Sequence, residues 1–556
     1  MNKKHTFIYR CIGLAAACCL SGLFHFRADL TGDKEYTLSD YTKNLLKGLN
    51  EDVRVIIYLD GSLDSDYLRL KKATREILDE FNGYSPKKIT PVFYNPNNAG
   101  NDEKRNRQRL QLLKRGMKDE ILVETDNEGR MIQKSVFPWA DIIIKNDTAS
   151  VCLLSDNTGK SKQERINASI EDLEYQLTDA LTELTEKDFP EIAFLEGHDE
   201  LPEVYVYDAV ETLSRHYTVF RGSIADIDEI PPYKVLIIAG PTKKFSEKEK
   251  YLLDRYIVSG GNVLFLMGGV VVSYEDLWKK GQSASMINDV NLDDLFFRYG
   301  FRINPVLIQD LQCAYIPLKV GNDETTFHPA PWYYAPLLHP SENHPITGNM
   351  APVKAEFVSS IDFTGNDTGI KKQLLLTSSG RSHIVSIPET ITPDAPQVKE
   401  TSDYFNRKNI PAAALLEGRF PSAFSNRMPP EGVKPAPKPA PGNGKIIVAA
   451  SANIIRNEIQ WTGNKGTALP LGYDSYMDRQ FGNRDFIVNS VNYLAGKESQ
   501  MLLRSKHNTL RLLDKTKINS GKKFWILINI GVPLVLVIIP VIGFQYLRKR
   551  KYGTIR

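Results

Sequence analysis

The sequence predicts an α/β protein in which two folded α/β domains lie between two transmembrane helices. Apolar runs with at most one charge lie near both ends, at residues 7–26 and 524–547. Between them, β-branched runs alternate with segments whose apolar residues recur at helical spacing, which is the pattern of βαβ units. A chain of 556 residues with a net charge of +3 is long enough for two or three domains and gives no indication of a nucleic-acid partner.

The run at residues 524–547 predicts a transmembrane helix. At 1.5 Å per residue, about 20 apolar residues cross the hydrocarbon core. The prolines within the run, Pro533 and Pro540, are tolerated in a spanning helix, although they would break a soluble one. A core helix of a soluble domain is the alternative. Two aromatic residues near the ends of the run, Trp525 and Tyr546, are expected to anchor the helix at the lipid headgroups. A basic cytoplasmic tail at 548–556 is expected to anchor it further, through Arg548, Lys549, Arg550 and Lys551.

Near the amino terminus, a second apolar run follows Lys3 and Lys4. We interpret residues 1–27 as an uncleaved transmembrane anchor. A cleaved signal peptide has a similar pattern, with small residues near Ala15 as the cleavage site. A lipoprotein attached at Cys18 is less favoured, because the leucine upstream is one position too far away.

The orientation in the membrane is predicted from the basic residues. Positive charges flank the C-terminal run on both sides, so they do not decide its direction. At the other end, Lys3, Lys4 and Arg10 outweigh Arg27 with its acidic neighbours. We therefore expect both termini to lie in the cytoplasm and the long segment between the two apolar runs to lie on the other side of the membrane.

Residues 28–188 predict a first α/β domain. Ser39 is a suitable cap for a helix that continues to residue 49. A strand, a helix and a second strand then form a βαβ unit of thioredoxin-like type, but the unit lacks a cysteine pair, so redox catalysis is not expected. The predicted strands are 53–59, 89–94, 121–124, 141–145 and 151–154, and the further helices are 67–84 and 164–186.

Residues 189–500 predict a second domain with an open, mostly parallel sheet of flavodoxin or amidotransferase type. Gly260 and Gly261 end one of its helices. Residues 270–424 are predicted to be irregular, and the Pro-rich residues 428–442 to be an extended excursion within the domain. A basic juxtamembrane stalk is expected at 501–523. The predicted strands are 192–195, 235–239, 263–267 and 445–450, and the helices are 203–216, 247–259 and 485–494.

The search for catalytic motifs gives one candidate. Gly197-His198-Asp199-Glu200 follows a predicted parallel strand, at the edge of the sheet where such folds bind ligands. His198 with Glu200 has the chemistry for acid/base catalysis, and Asp199 is a further candidate ligand contact. The alternative is a polar turn that caps the next helix. We assign no catalytic residue, because an amidotransferase also needs a nucleophilic cysteine at a tight turn.

Other chemical signals are weaker. The segment Asn157-Thr158-Gly159-Lys160-Ser161 imitates a phosphate-binding loop, but Leu154 stands where that motif needs glycine, so the chain is not expected to hydrolyse ATP. His339 and His344 lack further ligands for a metal. Cys152 and Cys313 allow a disulfide or two free thiols. No cofactor and no metal are therefore predicted.

Short motifs along residues 28–552 are similar to those of the GldG family, a gliding-motility-associated auxiliary or substrate-binding component of an ABC transporter in Bacteroidetes. Each motif is short, but together they are numerous enough to be specific to this family. They are Asp29-Leu30-Thr31, Lys34, Tyr36-Thr37-Leu38-Ser39, Ala73-Thr74-Arg75-Glu76, Leu78-Asp79-Glu80-Phe81, Ile166-Asn167, Ser169-Ile170-Glu171, Leu173-Glu174-Tyr175, Phe194-Leu195-Glu196-Gly197-His198, Phe481-Gly482-Asn483-Arg484-Asp485-Phe486, Arg504, Lys506 and Arg511-Leu512-Leu513-Asp514-Lys515.

This resemblance implies a non-catalytic, multi-pass inner-membrane subunit with two membrane anchors and the bulk of the chain in the periplasm. Such a subunit works with a separate permease and a separate ATPase. It assigns no ligand-contact residue and no substrate. Membrane lipid is an expected partner because of the two apolar runs. Two alternatives remain from the residues themselves: an envelope amidotransferase or hydrolase centred on His198, and a structural scaffold of the motility machinery.

Overall fold

The structure is a computed structural model. It describes residues 37–98, 102–125, 131–154, 162–186, 188–319, 327–342, 344–348, 350–365, 369–393, 403–431, 433, 440–463, 465–498, 501 and 522–552. The predicted N-terminal anchor at 1–27, the loop Asn157–Ser161 and nearly all of the stalk at 501–523 lie outside these residues. The chain divides into two compact units, residues 1–507 and 508–556.

The helices follow the sequence prediction closely, with three additions among the described residues, at residues 102–114, 274–280 and 293–299. Their bounds are α1 Asp40–Lys47, α2 Ser65–Tyr84, α3 Asp102–Lys114, α4 Lys162–Thr185, α5 Glu203–Leu213, α6 Glu247–Val258, α7 Tyr274–Lys280, α8 Asp293–Tyr299, α9 Asn483–Leu494 and α10 Lys522–Tyr552.

The strands up to residue 266 agree with the prediction except for two additions, at residues 131–136 and 218–223. Strands in the first half are β1 Val53–Ile57, β2 Ile89–Phe93, β3 Glu120–Thr125, β4 Met131–Val136, β5 Trp139–Ile144, β6 Asp147–Cys152, β7 Glu191–Glu196, β8 Thr218–Ser223, β9 Val235–Ala239, β10 Val263–Leu266, β11 Val270–Val271, β12 Ser283–Ala284, β13 Met286–Ile287 and β14 Phe301–Ile303. Those in the second half are β15 Val306–Asp310, β16 Cys313–Lys319, β17 Phe327–Pro340, β18 Val353–Lys354, β19 Ile361–Phe363, β20 Ile370–Thr377, β21 Ser382–Ser386, β22 Thr390–Ile391, β23 Pro411–Gly418, β24 Gly444–Ala449, β25 Ile459–Thr462, β26 Lys465–Ala468, β27 Tyr473–Asp474 and β28 Arg479–Gln480.

The amino-terminal sheet has the order β2-β1-β5-β6. Strands β1 and β2 are parallel, whereas β5 runs antiparallel to β1 and β6 antiparallel to β5. Helices α2 and α4 cover the sheet through an apolar core that includes Phe81 and Leu173. As predicted, Ser39 caps α1 by accepting a hydrogen bond from the Thr42 amide, and the Ser39 amide donates to Glu174 of α4 at 2.7 Å. Two motifs far apart in the sequence therefore meet at this cap.

The larger sheet combines a parallel and an antiparallel part. Its order is β16-β17-β20-β23-β24-β10-β9-β7-β8. The five strands β8-β7-β9-β10-β24 are parallel, and numbered within this part their order is 2-1-3-4-5. Helices α5 and α9 contribute to the apolar core of one face and α6 and α8 to that of the other. The direction of the strand order reverses between β7 and β9, so the loops after these two strands border a crevice.

The prediction of an irregular segment at residues 270–424 is wrong. This segment contains α7, α8 and the antiparallel strands that extend the sheet beyond β24, beginning with β23. The sheet is consequently mixed rather than mostly parallel. The Pro-rich strand β17 was missed because proline removes a ladder donor. Most of its length, through the pairs Tyr315↔Pro331 and Pro317↔Pro329, has a partner on one side only, so the missing N–H groups cost little there.

Helix α10 is long and apolar enough to cross a membrane. Residues 526–550 form the candidate span, and no residue of its most apolar window is buried within the unit 508–556. Pro533 and Pro540 lie inside the helix without ending it. Among the described residues this is one candidate span, and the second predicted span falls at residues that the structure does not describe.

Candidate functional site

The predicted Gly197–Glu200 loop lies at the carboxyl end of β7, next to the point where the strand order reverses. Gly197 has a φ of 121°, which glycine adopts readily, and Asp199 has a φ of 57°. These two backbone conformations turn the chain sharply between β7 and α5. The loop is held to the segment after β9 because the Thr242 and Lys243 amides both donate to the His198 carbonyl oxygen.

The His198 side chain is buried and contacts two carboxylates. Its Nδ1 lies 3.2 Å from Glu200 Oε1, and its Nε2 lies 3.2 Å from Glu249 Oε1 on α6. The ring also stacks on Phe245, with 3.6 Å between the ring centres. An acceptor at each ring nitrogen matches the doubly protonated imidazolium.

The charge of this histidine is stabilised in the folded protein. Burial lowers the pKa of His198, but the hydrogen bonds with Glu200 and Glu249 outweigh burial, so the pKa is raised above its usual value. Burial also opposes ionisation of Glu249, yet bonds from Ser246 and His198 lower its pKa overall. Because both ring nitrogens are occupied, the geometry favours a role for His198 in fixing the loop onto α6 over acid/base catalysis.

Asp199 differs from its two neighbours. Its carboxylate is more than half exposed and forms a 3.0 Å ion pair with the similarly exposed Lys243. Of the three predicted residues, the structure therefore brings His198 and Glu200 together in the interior and leaves Asp199 at the surface, where a ligand can reach it.

A larger feature that the sequence did not predict is a cavity of about 360 Å³, which we call the aromatic cleft. Its volume lies within the range of small-molecule pockets. Parts of its wall follow the carboxyl ends of β7, β10 and β24, the edge at which open α/β sheets bind ligands. It is lined by Tyr205, Tyr274, Trp278, Lys354, Glu356, Asn453, Arg456, Asn457, Glu458, Ile459, Trp461, Gly472, Tyr473 and Asn483.

The two cations of the aromatic cleft are both engaged by neighbouring side chains. Lys354 Nζ lies 3.1 Å from Glu458 Oε1 and 2.7 Å from Asp474 Oδ2. Burial lowers the pKa of Lys354, but the surrounding carboxylates outweigh burial and raise it overall. The Arg456 guanidinium lies between two rings, 4.3 Å from the centre of Tyr205 and 4.2 Å from that of Tyr274. The charged groups of the cleft are thus already paired with protein groups, and they do not require a charged ligand.

The motif at residues 481–486 supports the wall of the cleft. The Asn483 side chain donates to the Lys354 carbonyl at 2.7 Å and accepts from the Lys354 amide at 3.0 Å. Residue 482 must be glycine, because a Cβ there would lie 2.3 Å from the Ala351 carbonyl oxygen. Arg484 forms two bonds with Asp208 of α5, at 2.7 and 3.0 Å. The motif therefore joins α9 to both α5 and the β18 segment.

The other predicted sites are separate from the cleft. His339 bonds Gln312 at 2.6 Å, whereas His344 is buried and accepts from the Ile346 amide. Cys152 and Cys313 are not joined to each other by a disulfide. Within the described residues, no group of three or more His, Cys, Asp or Glu side chains is arranged to hold a metal ion.

The predicted membrane-anchor residues Trp525, Tyr546, Arg548, Lys549, Arg550 and Lys551 all lie within α10. By contrast, no sequence signal joined the cleft residues. Trp278 and Trp461 are far apart along the chain, and only the fold places both at one cavity.

Comparison with protein families decides the class of this protein. The model described as "ABC-type uncharacterized transport system", an ABC transport auxiliary family, matches residues 190–490, more than half of the chain. The chain belongs to this family. A second model, described as a domain of unknown function (DUF7088), matches residues 32–143. Both the aromatic cleft and His198 lie within the match to the ABC transport auxiliary family, so this part of the protein carries the site.

Two individual proteins are also similar to this member of the ABC transport auxiliary family. An "Uncharacterized protein" of Borreliella burgdorferi is 22% identical over 549 residues, which cover 96% of this chain and 95% of that protein. A solved structure, the "mmIFT52 N-terminal domain", is 17% identical, covers 55% of this chain and 97% of its own, and has a TM-score of 0.31.

Family membership establishes the general role. The protein is an auxiliary component of an ABC transport system and works with other components of that system. The candidate span in α10 indicates association with a membrane.

Proposed function

We propose that this protein is a non-catalytic, substrate-binding-type subunit of GldG type in a membrane ABC transporter complex associated with gliding motility in Bacteroidetes. Its partners are a permease and a separate ATPase subunit. Residues 28–188 are a thioredoxin-like domain and residues 189–500 a flavodoxin/amidotransferase-like domain. The strand orders 2-1-3-4 in the first sheet and 2-1-3-4-5 in the parallel part of the second support this assignment.

The observation that carries the proposal is α10, which follows the residues that match the transport family. A helix whose apolar side chains are exposed within its own unit is unfavourable in water and favourable in lipid. An anchored subunit of this kind stays next to a permease in the same membrane. Together with the predicted anchor at 1–27, α10 holds the folded bulk at the periplasmic face of the inner membrane.

The subunit transmits a conformational change rather than performing chemistry. A permease that alternates between two states shifts a subunit only if the subunit contacts those states with different affinity. In the described residues, the best acid/base candidate, His198, is already bonded to two carboxylates. This arrangement suits a rigid binding subunit whose energy comes from ATP hydrolysis by the separate ATPase.

Co-purification tests the partnership directly. The full-length chain, expressed with the ABC permease and ATPase of the same organism, is expected to retain both after mild detergent extraction. A control in which α10 is replaced by an unrelated transmembrane helix of equal length separates specific contact from mere membrane residence. Loss of both partners from the wild-type chain, or ATP hydrolysis by the purified chain alone, would contradict the proposal.

Cysteine accessibility tests the periplasmic location. Met428 is 90% exposed, so a Met428→Cys variant offers an accessible thiol, whereas Cys313 is buried and Cys152 half-buried. We expect a membrane-impermeant maleimide to label Met428→Cys in intact spheroplasts and to label a Lys551→Cys variant only after lysis. The reverse pattern would place the folded part in the cytoplasm.

A further inference from the structure

We infer that the aromatic cleft binds an uncharged saccharide chain. This inference rests on the proposed function, because it names the ligand class of a substrate-binding-type subunit. Three features of the cleft support it: exposed tryptophan rings, mutual cancellation of its charges, and a wall fixed before any ligand arrives.

The tryptophans have the exposure of a binding surface. Trp278 is 50% exposed and Trp461 is 66% exposed, and both line the cleft. Two of the five tryptophans of the chain are thus kept in water at one cavity, although burying them would be favourable. The electron-rich face of an indole ring attracts the polarised C–H groups on the apolar face of a pyranose ring. Flat rings beside polar groups therefore suit a ligand that has both apolar faces and hydroxyl edges.

The charges of the cleft exclude strongly ionic ligands. The lining contains two cations, Lys354 and Arg456, and two carboxylates, Glu356 and Glu458. An anion would have to displace Glu458 and Asp474 from Lys354, and both are within 3.1 Å of it. A cation would meet the Arg456 guanidinium, which already occupies the space between Tyr205 and Tyr274. A neutral ligand with many hydroxyl groups avoids both penalties and can bond the carboxylate, amide and guanidinium groups.

The wall of the cleft is ordered in advance. Asn453 donates to the Glu356 carbonyl at 3.1 Å, and Asn457 donates to the Val204 carbonyl at 3.1 Å. Glu356 also accepts from the Tyr274 hydroxyl. A site fixed in this way loses little conformational freedom on binding. Because these contacts use side chains rather than an open strand ladder, the cleft favours a saccharide over an extended peptide, which binds through main-chain hydrogen bonds at a sheet edge.

Calorimetric titration of the purified full-length chain in detergent tests the inference. The probes are cellohexaose, maltohexaose, mannohexaose and hexa-N-acetylchitohexaose as neutral saccharides. Hexagalacturonate, a chitosan hexamer and a neutral hexapeptide of alternating Ala and Ser serve as comparisons. We expect at least one neutral saccharide to bind, and both charged sugars and the peptide to bind at least tenfold more weakly. Binding of none of the neutral saccharides, or tighter binding of the peptide, would overturn the inference.

Matched variants locate the binding. Trp461→Ala is expected to weaken saccharide binding at least tenfold, as for a central aromatic contact. Phe297 is also 66% exposed but does not line the cleft, so Phe297→Ala should leave the affinity unchanged. Equal effects of the two variants would overturn the site. Both should still co-purify with the permease, so a failure of saccharide binding is distinguishable from a failure of the proposed partnership.

Discussion

His198 shows how a polar loop at a ligand-binding edge is used to fix the fold. A histidine after a parallel strand was a reasonable candidate acid or base. Its two neighbours from outside the loop were not readable from the sequence, because Phe245 and Glu249 come from a segment about 50 residues further on. Those neighbours decide its role, because the ring is stacked on a phenyl group and bonded at both nitrogens. The residue types of the loop were therefore predictable, but their environment was not.

Replacing His198 by glutamine should destabilise the protein in a pH-dependent way. The variant leaves Glu200 and Glu249 buried without their cation, which typically costs about 3 kcal/mol. Because the pKa of His198 is raised on folding, its stabilisation is complete below its unfolded value of about 6.5 and is lost as the pH rises through the higher folded value. Because the pKa of Glu249 is lowered, its contribution is present above its unfolded value and is lost in acid.

The difference in unfolding free energy between the wild type and His198→Gln should therefore be largest between about pH 4.5 and 6.5. Urea denaturation across this range measures it. Asp199→Asn is the control, because it changes the same loop but removes only a surface ion pair. It should change the free energy of unfolding by less than about 1 kcal/mol. A flat difference from pH 5 to 9 would show that the two carboxylates do not hold a charged imidazole.

Helix α6 is coupled to the loop that contains His198 through one glutamate at the start of the helix. Ser246 caps the helix by accepting from the Glu249 amide, and Glu249 Oε2 accepts in return from the Ser246 amide at 2.8 Å, which forms a capping box. The other carboxylate oxygen of Glu249 faces His198. One glutamate thus satisfies the start of α6 and pairs with the loop after β7, so the helix and the loop are coupled.

Ser246→Ala should lower the unfolding free energy by about 1 kcal/mol and also shift its pH dependence. The bond that the Ser246 hydroxyl donates to Glu249 helps to lower the pKa of Glu249. The variant loses this bond and keeps the one from the backbone amide, so the loss of stability in acid should begin at a higher pH. Ser39→Ala is the matched control, because Ser39 caps α1 in the same way but has no contact with His198 in the structure. Thermal unfolding at pH 5 and pH 8 compares them. Identical pH profiles for the two variants would contradict the coupling.

The elements that were missed lack a local apolar pattern, for different physical reasons. Helix α3 was not predicted because its sequence has many charges and no apolar stripe, and Leu112 is buried while Leu110 is 56% exposed. Strand β8 lies at the edge of the sheet with mostly exposed side chains, so it lacks the buried run that marks its neighbours. Strands of the parallel core were predictable because burial on both faces makes them continuously apolar. The antiparallel extension depends on partners distant in the chain, and local patterns do not encode those pairings.

The division of the whole molecule into two compact units predicts which part of the chain is soluble without lipid. Residues up to 507 contain the apolar cores of both sheets, whereas the unit 508–556 contains the candidate span. A chain of residues 37–507 should therefore fold without lipid. We expect it to be recovered from the soluble fraction, with a cooperative thermal transition close to that of the full-length protein.

The same truncations test whether the chain has one anchor or two. A chain of residues 37–556 should sediment with membranes and resist carbonate extraction, because α10 alone supplies about 20 or more apolar residues in a spanning helix. A chain of residues 1–507 separates the two interpretations of the amino terminus: an uncleaved anchor keeps it in the membrane at full length, whereas a signal peptide releases a shortened protein into the periplasm. We expect retention at full length, measured by carbonate extraction and intact mass. Release of a shortened product would leave α10 as the anchor and place the amino terminus in the periplasm, which would halve the membrane contact available for coupling to a permease.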